Sequence, residues 1–395
     1  MATTQTYHFA ERMRVMKPSP TLVISDTARQ LTAAGHDVVD LGGGDPDFAT
    51  PPHIVQAAAE AMEAGFTHYV ASPGIPALRN AIAAKLQRDN GLSYDPNGEI
   101  IVTPGGKAAL AISLLALVGS GDEVLVLDPG WVSYSPATQL ADATPVQIPL
   151  SPDDNWTITA DRIRPYITPR SRVLIFNSPN NPTGRVATRA ELDAVAQVAR
   201  EHDLIVISDE IYEKLIYDGH THTSIASLPG MQERTIIVNG FSKPYAMTGW
   251  RLGYVAAPRD LVTQIATIHS HTATCATSFA QVGGAAAYDG PQECITAMNI
   301  AYDRRRRLVA DGLSALPGIT CPLPEGAFYA FADIRSTGLS STEFATQLLQ
   351  SQYVAVTPGD AFGPAGAGYV RLSVANSDAM LAKAVERIGA FVKSL

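Results

Sequence analysis

The chain is short of cysteine, of long apolar runs and of positive charge, and each shortage excludes a class of protein. Its only cysteines among 395 residues are Cys275, Cys294 and Cys321. They are odd in number, far apart and never spaced as Cys-x-x-Cys. Neither a disulfide framework nor a zinc site is expected, and reduced thiols in a cytosolic protein are. The most apolar run, Ala108 to Val118, is too short to cross a bilayer and is followed at once by Gly119-Ser120-Gly121-Asp122. The N-terminal residues carry no apolar stretch of the secretory-signal kind. A soluble, cytoplasmic protein without a membrane partner is expected. Lys and Arg number 29 against 38 Asp and Glu, a formal charge of −9, which argues against nucleic acid as a partner. A small anionic ligand stays open, because one pocket can be positive on an acidic surface.

The length exceeds what a single hydrophobic core usually serves, so two domains are expected. The composition, 46% hydrophobic and 17% charged, is that of an ordinary globular protein. Strand candidates are Ile100–Thr103, Glu123–Leu127, Pro145–Ile148, Arg172–Phe176, Leu204–Ser208, Thr235–Val238 and Leu252–Ala256. Most are continuously apolar, as strands buried on both faces are. Helical patterns lie between them, at Lys107–Val118, Ser133–Ala141 and Thr188–His202. The alternation predicts an α/β fold with an open, mostly parallel sheet flanked by helices. From Tyr288 to Leu316 runs a long helical pattern holding Arg304-Arg305-Arg306-Arg307, expected as the solvated face of one helix. Shorter elements follow, up to a closing helix at Ser377–Leu395, and suggest a smaller α+β domain. The expected division is 1–44 for an N-terminal arm and part of the small domain, 45–288 for the large domain and 289–395 for the small C-terminal domain.

Ligands of open α/β sheets sit at the carboxyl ends of the strands. Four of the segments that follow a strand candidate are chemically loaded. Pro104-Gly105-Gly106-Lys107 leads into a helix, whose free N–H groups suit an anion, though many such turns carry glycine for geometry alone. Asn177-Ser178-Pro179-Asn180-Asn181-Pro182-Thr183-Gly184 combines rigid turn residues with side-chain amides that can donate to a ligand oxygen. Asp209-Glu210-Ile211-Tyr212 puts a carboxylate at the end of a buried strand, which is costly without a partner. Ser242-Lys243 puts an amine where desolvation would depress its pKa, unless the side chain reaches solvent.

Taken together these blocks resemble a known family. Asn-Asn-Pro-Thr-Gly at 180–184, Ser-Asp-Glu-Ile-Tyr at 208–212, Ser-Lys-x4-Thr-Gly-Trp-Arg at 242–251 and Val-Arg-Leu-Ser at 370–373 are similar, in order and spacing, to the class I aminotransferases of pyridoxal-phosphate fold type I. The resemblance runs from about Val15 to the end and is nearest to the bacterial aspartate aminotransferase branch, subgroup gamma. It implies pyridoxal 5′-phosphate as cofactor and an amino acid and a 2-oxo acid as substrates. Lys243 would be the Schiff-base lysine and proton carrier, and Asp209 the partner of the pyridine nitrogen. Tyr212 and Asn181 would donate to the phenolic oxygen, and Trp131 would stack on the ring. Gly105, Gly106, Arg251 and Ser242 would hold the phosphate, where Gly240 replaces a serine found in another subgroup. Tyr69 would reach a neighbouring subunit's phosphate, implying a homodimer with shared sites. Arg371 and Gly44 would meet the substrate α-carboxylate.

The residues expected to choose the donor are Thr21 and Lys107, matching positions that bind dicarboxylates within subgroup gamma, while Lys107 could instead belong with the cofactor-binding residues and only add charge near the phosphate. Aspartate or another dicarboxylic donor is therefore expected, with an acceptor such as 2-oxoglutarate. Segments of the C-terminal third also resemble arginine:pyruvate aminotransferases, so arginine, broad-range or prephenate aminotransferases stay open. So does a C–S lyase, since elimination uses the same lysine, aspartate and arginine. A non-catalytic regulator of the same fold is a remote alternative, because no helix-turn-helix module is visible.

Overall fold

The computed structural model describes residues 7–16, 18 and 20–395, with the side chains of 20–22 outside the description. Along the chain, α1 (Pro20–Ala33) leads to β1 (Val39–Asp40), α2 (Pro52–Glu63), α3 (Pro76–Asn90), β2 (Ile100–Thr103) and α4 (Gly106–Leu117). Then come β3 (Glu123–Asp128), α5 (Tyr134–Leu140), β4 (Thr144–Pro149), α6 (Ala160–Ile163), β5 (Ser171–Asn177), α7 (Arg189–Glu201), β6 (Ile205–Asp209), β7 (Thr235–Gly240) and β8 (Gly253–Ala256). Helices α8 (Arg259–Thr272), α9 (Ser278–Asp289) and α10 (Glu293–Ser314) precede β9 (Tyr329–Asp333), α11 (Ser341–Gln352), β10 (Val354–Ala355), β11 (Thr357–Pro358), β12 (Tyr369–Ser373) and α12 (Asp378–Lys393).

All seven expected strands form one sheet, in the order β2-β8-β7-β6-β5-β3-β4. Pairing is parallel throughout, apart from β8, which runs antiparallel to both β2 and β7. Strands β2, β3, β7 and β8 are buried along their whole length, as their unbroken apolar runs predict. The outer strand β4 is different: it is largely exposed and carries Pro145 and Pro149. The other outer strand, β2, is capped by a bond from the Val102 N–H to the Pro73 carbonyl (2.9 Å). Helix α7 starts where Thr188 and Glu191 satisfy each other's backbone N–H groups, a reciprocal capping box.

A second core gathers around the three-stranded antiparallel sheet β11-β12-β9. It joins Phe328, Ala330 and Leu372 to Val309 and Leu313 of α10, Phe344 and Leu348 of α11, and Leu381 and Ile388 of α12. Val39 and Leu41 belong to the same core. Ala28 of α1 packs against Leu349 and Ala355, so the N-terminal segment leans on this unit. No helix among the described residues is long and apolar enough to cross a membrane. The three cysteines are free.

Two sequence expectations fail. The single helix expected from Tyr288 to Leu316 is two: Tyr288 lies in α9, and Gly290-Pro291 separates it from α10. Proline lacks the N–H needed to continue a helix and pushes its predecessor into extended geometry. Gly290 accordingly sits at φ −86°, ψ −171°. Nor is the arginine run one solvated face. Four successive residues sweep most of the way round a helix. Arg305 and Arg306 therefore point inward, 7% and 1% exposed. Arg305 pairs with Asp47 (2.9 Å) and Asp378 (3.0 Å). Arg306 pairs with Asp218 (2.6 Å) and with Asp303.

Candidate active site

A cavity of about 360 Å³ takes in groups from the carboxyl ends of β5, β6 and β7 and from the antiparallel sheet beside them, the place where open α/β sheets bind ligands. Gly44, Gly106, Lys107, Trp131, Asn181, Asp209, Tyr212, Ser242, Lys243, Arg251 and Arg371 all line it. Gly105 adjoins it as the residue before α4. Tyr69 stands apart, 86% exposed. Thr21 falls in α1, its side chain outside the described residues. The charged lining is Lys107, Lys243, Arg251 and Arg371 against Asp45 and Asp209. On a chain of charge −9, this pocket carries an excess of cations.

Its anion-binding end is built from backbone. Gly105 has φ +87°, and a Cβ there would come within 2.8 Å of the Arg251 guanidinium. Glycine thus permits both the turn and the close approach. The turn aims the first N–H groups of α4 at the pocket beside Arg251. Arg251 is steadied by a bond from Nη1 to the Thr248 carbonyl (2.7 Å). This cradle suits a phosphate.

Asp209 ends β6, 7% exposed. Burial raises its carboxyl pKa to about 6, against the lowering effect of hydrogen bonds from the Tyr134 hydroxyl and the Ile211 N–H. The Tyr134 bond is 2.9 Å long. The Asn177 amide fixes the Asp209 carbonyl at 2.9 Å. A carboxylate destabilised in this way gains from a ligand cation, such as a protonated ring nitrogen. Lys243 follows the neighbouring strand, and its amine donates to the Gly44 carbonyl. Burial depresses its pKa to about 8; Asp45 works against this, while Arg371 and Arg251 add to it. A partly neutral amine at ordinary pH is a nucleophile.

Arg371 is 3% exposed. It donates from Nη1 to Asn181 Oδ1 (3.0 Å) and from Nη2 to the Gly42 carbonyl (2.5 Å). Its guanidinium lies 4.3 Å from the Tyr329 ring centre and 4.8 Å from that of Phe362. Its buried Nε has no partner, and no carboxylate pairs with it among the described residues. A buried, unneutralised fork of this kind matches a ligand carboxylate. Because Asn181 Oδ1 is engaged, its Nδ2 is left to donate elsewhere. Gly44 borders the same region, where a Cβ would collide with the Tyr329 hydroxyl.

Several pocket residues were not singled out from the sequence. Tyr329 bonds the Tyr212 hydroxyl at 2.8 Å but comes from β9, in the other sheet. Tyr134 holds Asp209 from the first turn of α5, and its place three residues after Trp131 was the available signal. Asn177 lay within the noted loop. Asp45, which accepts from the Thr248 hydroxyl at 2.6 Å, adjoins Gly44.

The family profile for class I and II aminotransferases matches residues 36–388. An aspartate aminotransferase of Musicola paradisiaca is 44% identical over 96% of this chain and 95% of its own. An aromatic-amino-acid aminotransferase of Thermococcus litoralis is 41% identical over 97% of this chain and 98% of its own. The structure of a Thermus thermophilus aspartate aminotransferase with maleate superposes with a TM-score of 0.93, at 41% identity over 98% of this chain and 100% of its own. With this cavity in this fold, the chain belongs to the class I and II aminotransferases and is a pyridoxal-phosphate-dependent transaminase of fold type I.

Proposed function

We propose that this transaminase takes L-aspartate or another dicarboxylic amino acid as donor and a 2-oxo acid such as 2-oxoglutarate as acceptor. The observation that carries the reading is the pair of cations that form no ion pair among the described residues, Arg371 and Lys107, lining one cavity with Lys243. A dicarboxylic donor brings two carboxylates. Arg371 suits the α-carboxylate by its fork. Lys107 lies with its amine 5.1 Å from the Trp131 ring centre and suits the distal one. Maleate, bound in the Thermus relative's structure, is itself a dicarboxylate.

The residues fit the cofactor. The α4 turn with Gly105, Gly106, Arg251 and Ser242 would hold its phosphate, Asp209 its ring nitrogen, Tyr212 and Asn181 its phenolic oxygen, and Trp131 its ring face. When bound, pyridoxal phosphate supplies an aldehyde for the amino group and a ring that accepts electron density. Lys243 Nζ holds that aldehyde at rest and then moves the proton from the donor Cα. Asp209 keeps the ring nitrogen protonated by remaining an anion beside it. Arg371 and the Gly44 backbone hold the α-carboxylate, orienting the Cα–H bond toward Lys243. Tyr69, exposed and outside its own pocket, reaches the phosphate of a second copy in a homodimer. Residues 45–288 form the cofactor domain, while the described residues of 1–44, with 289–395, contribute the arm and the smaller unit.

A second reading has an observation of its own. A further cavity of about 440 Å³ shares Lys107 and Trp131 with the site, room that a longer or aromatic donor would use. Single additions of L-aspartate, L-glutamate, L-arginine and L-phenylalanine without oxo acid discriminate between the two. L-Aspartate should bleach the cofactor's visible absorbance at the lowest concentration. Preferential bleaching by L-phenylalanine or L-arginine overturns the dicarboxylate reading, and ammonia release in place of amino transfer indicates elimination. Lys107→Ala should lower kcat/KM for L-aspartate about 10–100-fold and leave L-phenylalanine nearly unchanged, the value of one charged hydrogen bond. Arg371→Ala should cost every donor on the order of 10²–10³-fold in kcat/KM. Arg371→Lys should recover little of that, because an ammonium lacks the fork.

A further inference from the structure

We propose that Glu213 is a positioning residue, which with Lys85 and Asn239 braces the loop bearing Asp209 to the strand end that presents Lys243. The proposal rests on the roles given above to those two residues. Strands β6 and β7 are parallel neighbours, so Asp209 and Lys243 leave the sheet side by side. The chain turns sharply after Asp209: the Glu213 N–H donates to the Glu210 carbonyl (3.0 Å) and the Leu215 N–H to the Tyr212 carbonyl (2.8 Å). That turn carries the Glu213 side chain inward, where it is 6% exposed.

Three donors meet it there. The Lys85 amine, its side chain 1% exposed, donates to Oε1. Asn239 Nδ2 donates to the same oxygen at 2.8 Å, and Asn90 Nδ2 to Oε2 at 3.1 Å. Lys85 and Asn90 belong to α3. Asn239 lies near the end of β7, four residues before Lys243, and its Oδ1 accepts the Gly240 N–H at 2.7 Å. One carboxylate thus joins α3, the Asp209 loop and the β7 end. Burial pushes the Glu213 pKa up, but Lys85 and His222 outweigh it and hold it at about 2, so the brace stays ionised.

Glu210, Glu213 and His222 lie close enough together to suggest a metal site. Their carboxylate oxygens and the His222 Nε2 are already engaged, however, and of the group's ligand atoms only His222 Nδ1 lacks a partner. The Lys85 ammonium holds Glu213, while the Ser208 and Ser224 hydroxyls bond Glu210 Oε1 at 2.8 and 2.6 Å and His222 lies 3.2 Å from Oε2.

Buried ion pairs add little to stability, and well-packed apolar residues often replace them without loss. Their directional bonds do fix where groups sit. A displacement of about 1 Å at reacting groups costs on the order of 10²-fold in rate. The experiment compares the parent with the double variant Lys85→Met, Glu213→Leu and with Asn239→Ala. The last breaks the arm to β7, together with the bond Asn239 Oδ1 accepts from the Gly240 N–H, and leaves the charges paired, so it keeps the test decisive if the double variant does not fold.

For the double variant the cofactor-free melting temperature should stay within about 3 °C of the parent's. The holoenzyme should release cofactor about tenfold faster or more, and the pH at which its bound absorbance titrates should move by about half a unit or more. The kcat should fall about 10–100-fold with KM within about threefold. Asn239→Ala should show the same signature in weaker form. A folded variant with the parent's titration and release rate overturns the proposal, as does an activity loss that only tracks the melted fraction. Borohydride reduction tests the underlying roles separately: a label on a lysine other than Lys243 refutes the site reading, whereas a label on Lys243 with unchanged titration refutes the brace alone.

Discussion

Lys243→Ala is expected to fold, to bind pyridoxal phosphate without a covalent bond, and to lose transamination by about 10⁴-fold or more, the upper range for removing a general acid–base group. Two functions vanish with one side chain. In the role proposed for it, the amine anchors the cofactor's aldehyde and acts as the mobile base beside the donor Cα. Reduction with borohydride should attach the cofactor to the parent at Lys243 and leave the variant unlabelled. A variant that still takes the label has another anchoring lysine, and the assignment fails. A pH dependence follows from the same amine. Burial depresses its pKa to about 8, and only the neutral form attacks an aldehyde. The rate at which cofactor-free protein captures pyridoxal phosphate should therefore climb as pH rises toward 8 and level off above it.

Asp209→Asn should lower kcat about 10³-fold, the scale of losing one preorganised electrostatic partner, and should make the cofactor-free protein more stable. The two effects have one cause. In the cofactor-free protein, burial raises the carboxyl pKa from its usual 3.8 to about 6. A raised carboxylate pKa means that the unfolded chain ionises more readily than the folded one. The destabilisation is complete above pH 6 and fades as pH falls toward 3.8. The rise corresponds to about 3 kcal/mol at pH 7. Asparagine never ionises but puts an Nδ2 where a carboxylate oxygen accepts from the Tyr134 hydroxyl or the Ile211 N–H, so urea unfolding at pH 7 should show a gain smaller than that figure, which shrinks as pH falls toward 4. A stability difference from the parent that does not change between pH 4 and pH 7 would mean that Asp209 is not strained by burial. In the role proposed for Asp209, cofactor binding should reverse the sign for the parent, because the ring cation would relieve the buried anion.

The sheet was legible in the sequence because burial on both faces leaves an unbroken apolar signature, and the first residues past β5, β6 and β7 then followed from where such sheets bind ligands. The order of the blocks carried the rest of the candidate site. What stayed hidden was long-range. Tyr329 meets Tyr212 across 117 residues, and Arg371 reaches Gly42 across 329; no local pattern encodes such pairings. The inward turn of Arg305 and Arg306 was hidden for the same reason. Their partners Asp47 and Asp218 lie far away in sequence, and without a partner a charged run reads as solvated. The break before α10 was readable from Gly290-Pro291, but the helical periodicity on either side masked it.

The outer strand β4, exposed and carrying Pro145 and Pro149, has a colloidal consequence. A proline offers no N–H to an incoming strand, so this rim is a poor template for edge-to-edge aggregation. The opposite rim is blunted by the Pro73 carbonyl on Val102. With both of its rims blunted against strand addition, growth of the seven-stranded sheet into fibrils is disfavoured. Crowded solutions of the folded chain should therefore stay clear of cross-β deposits.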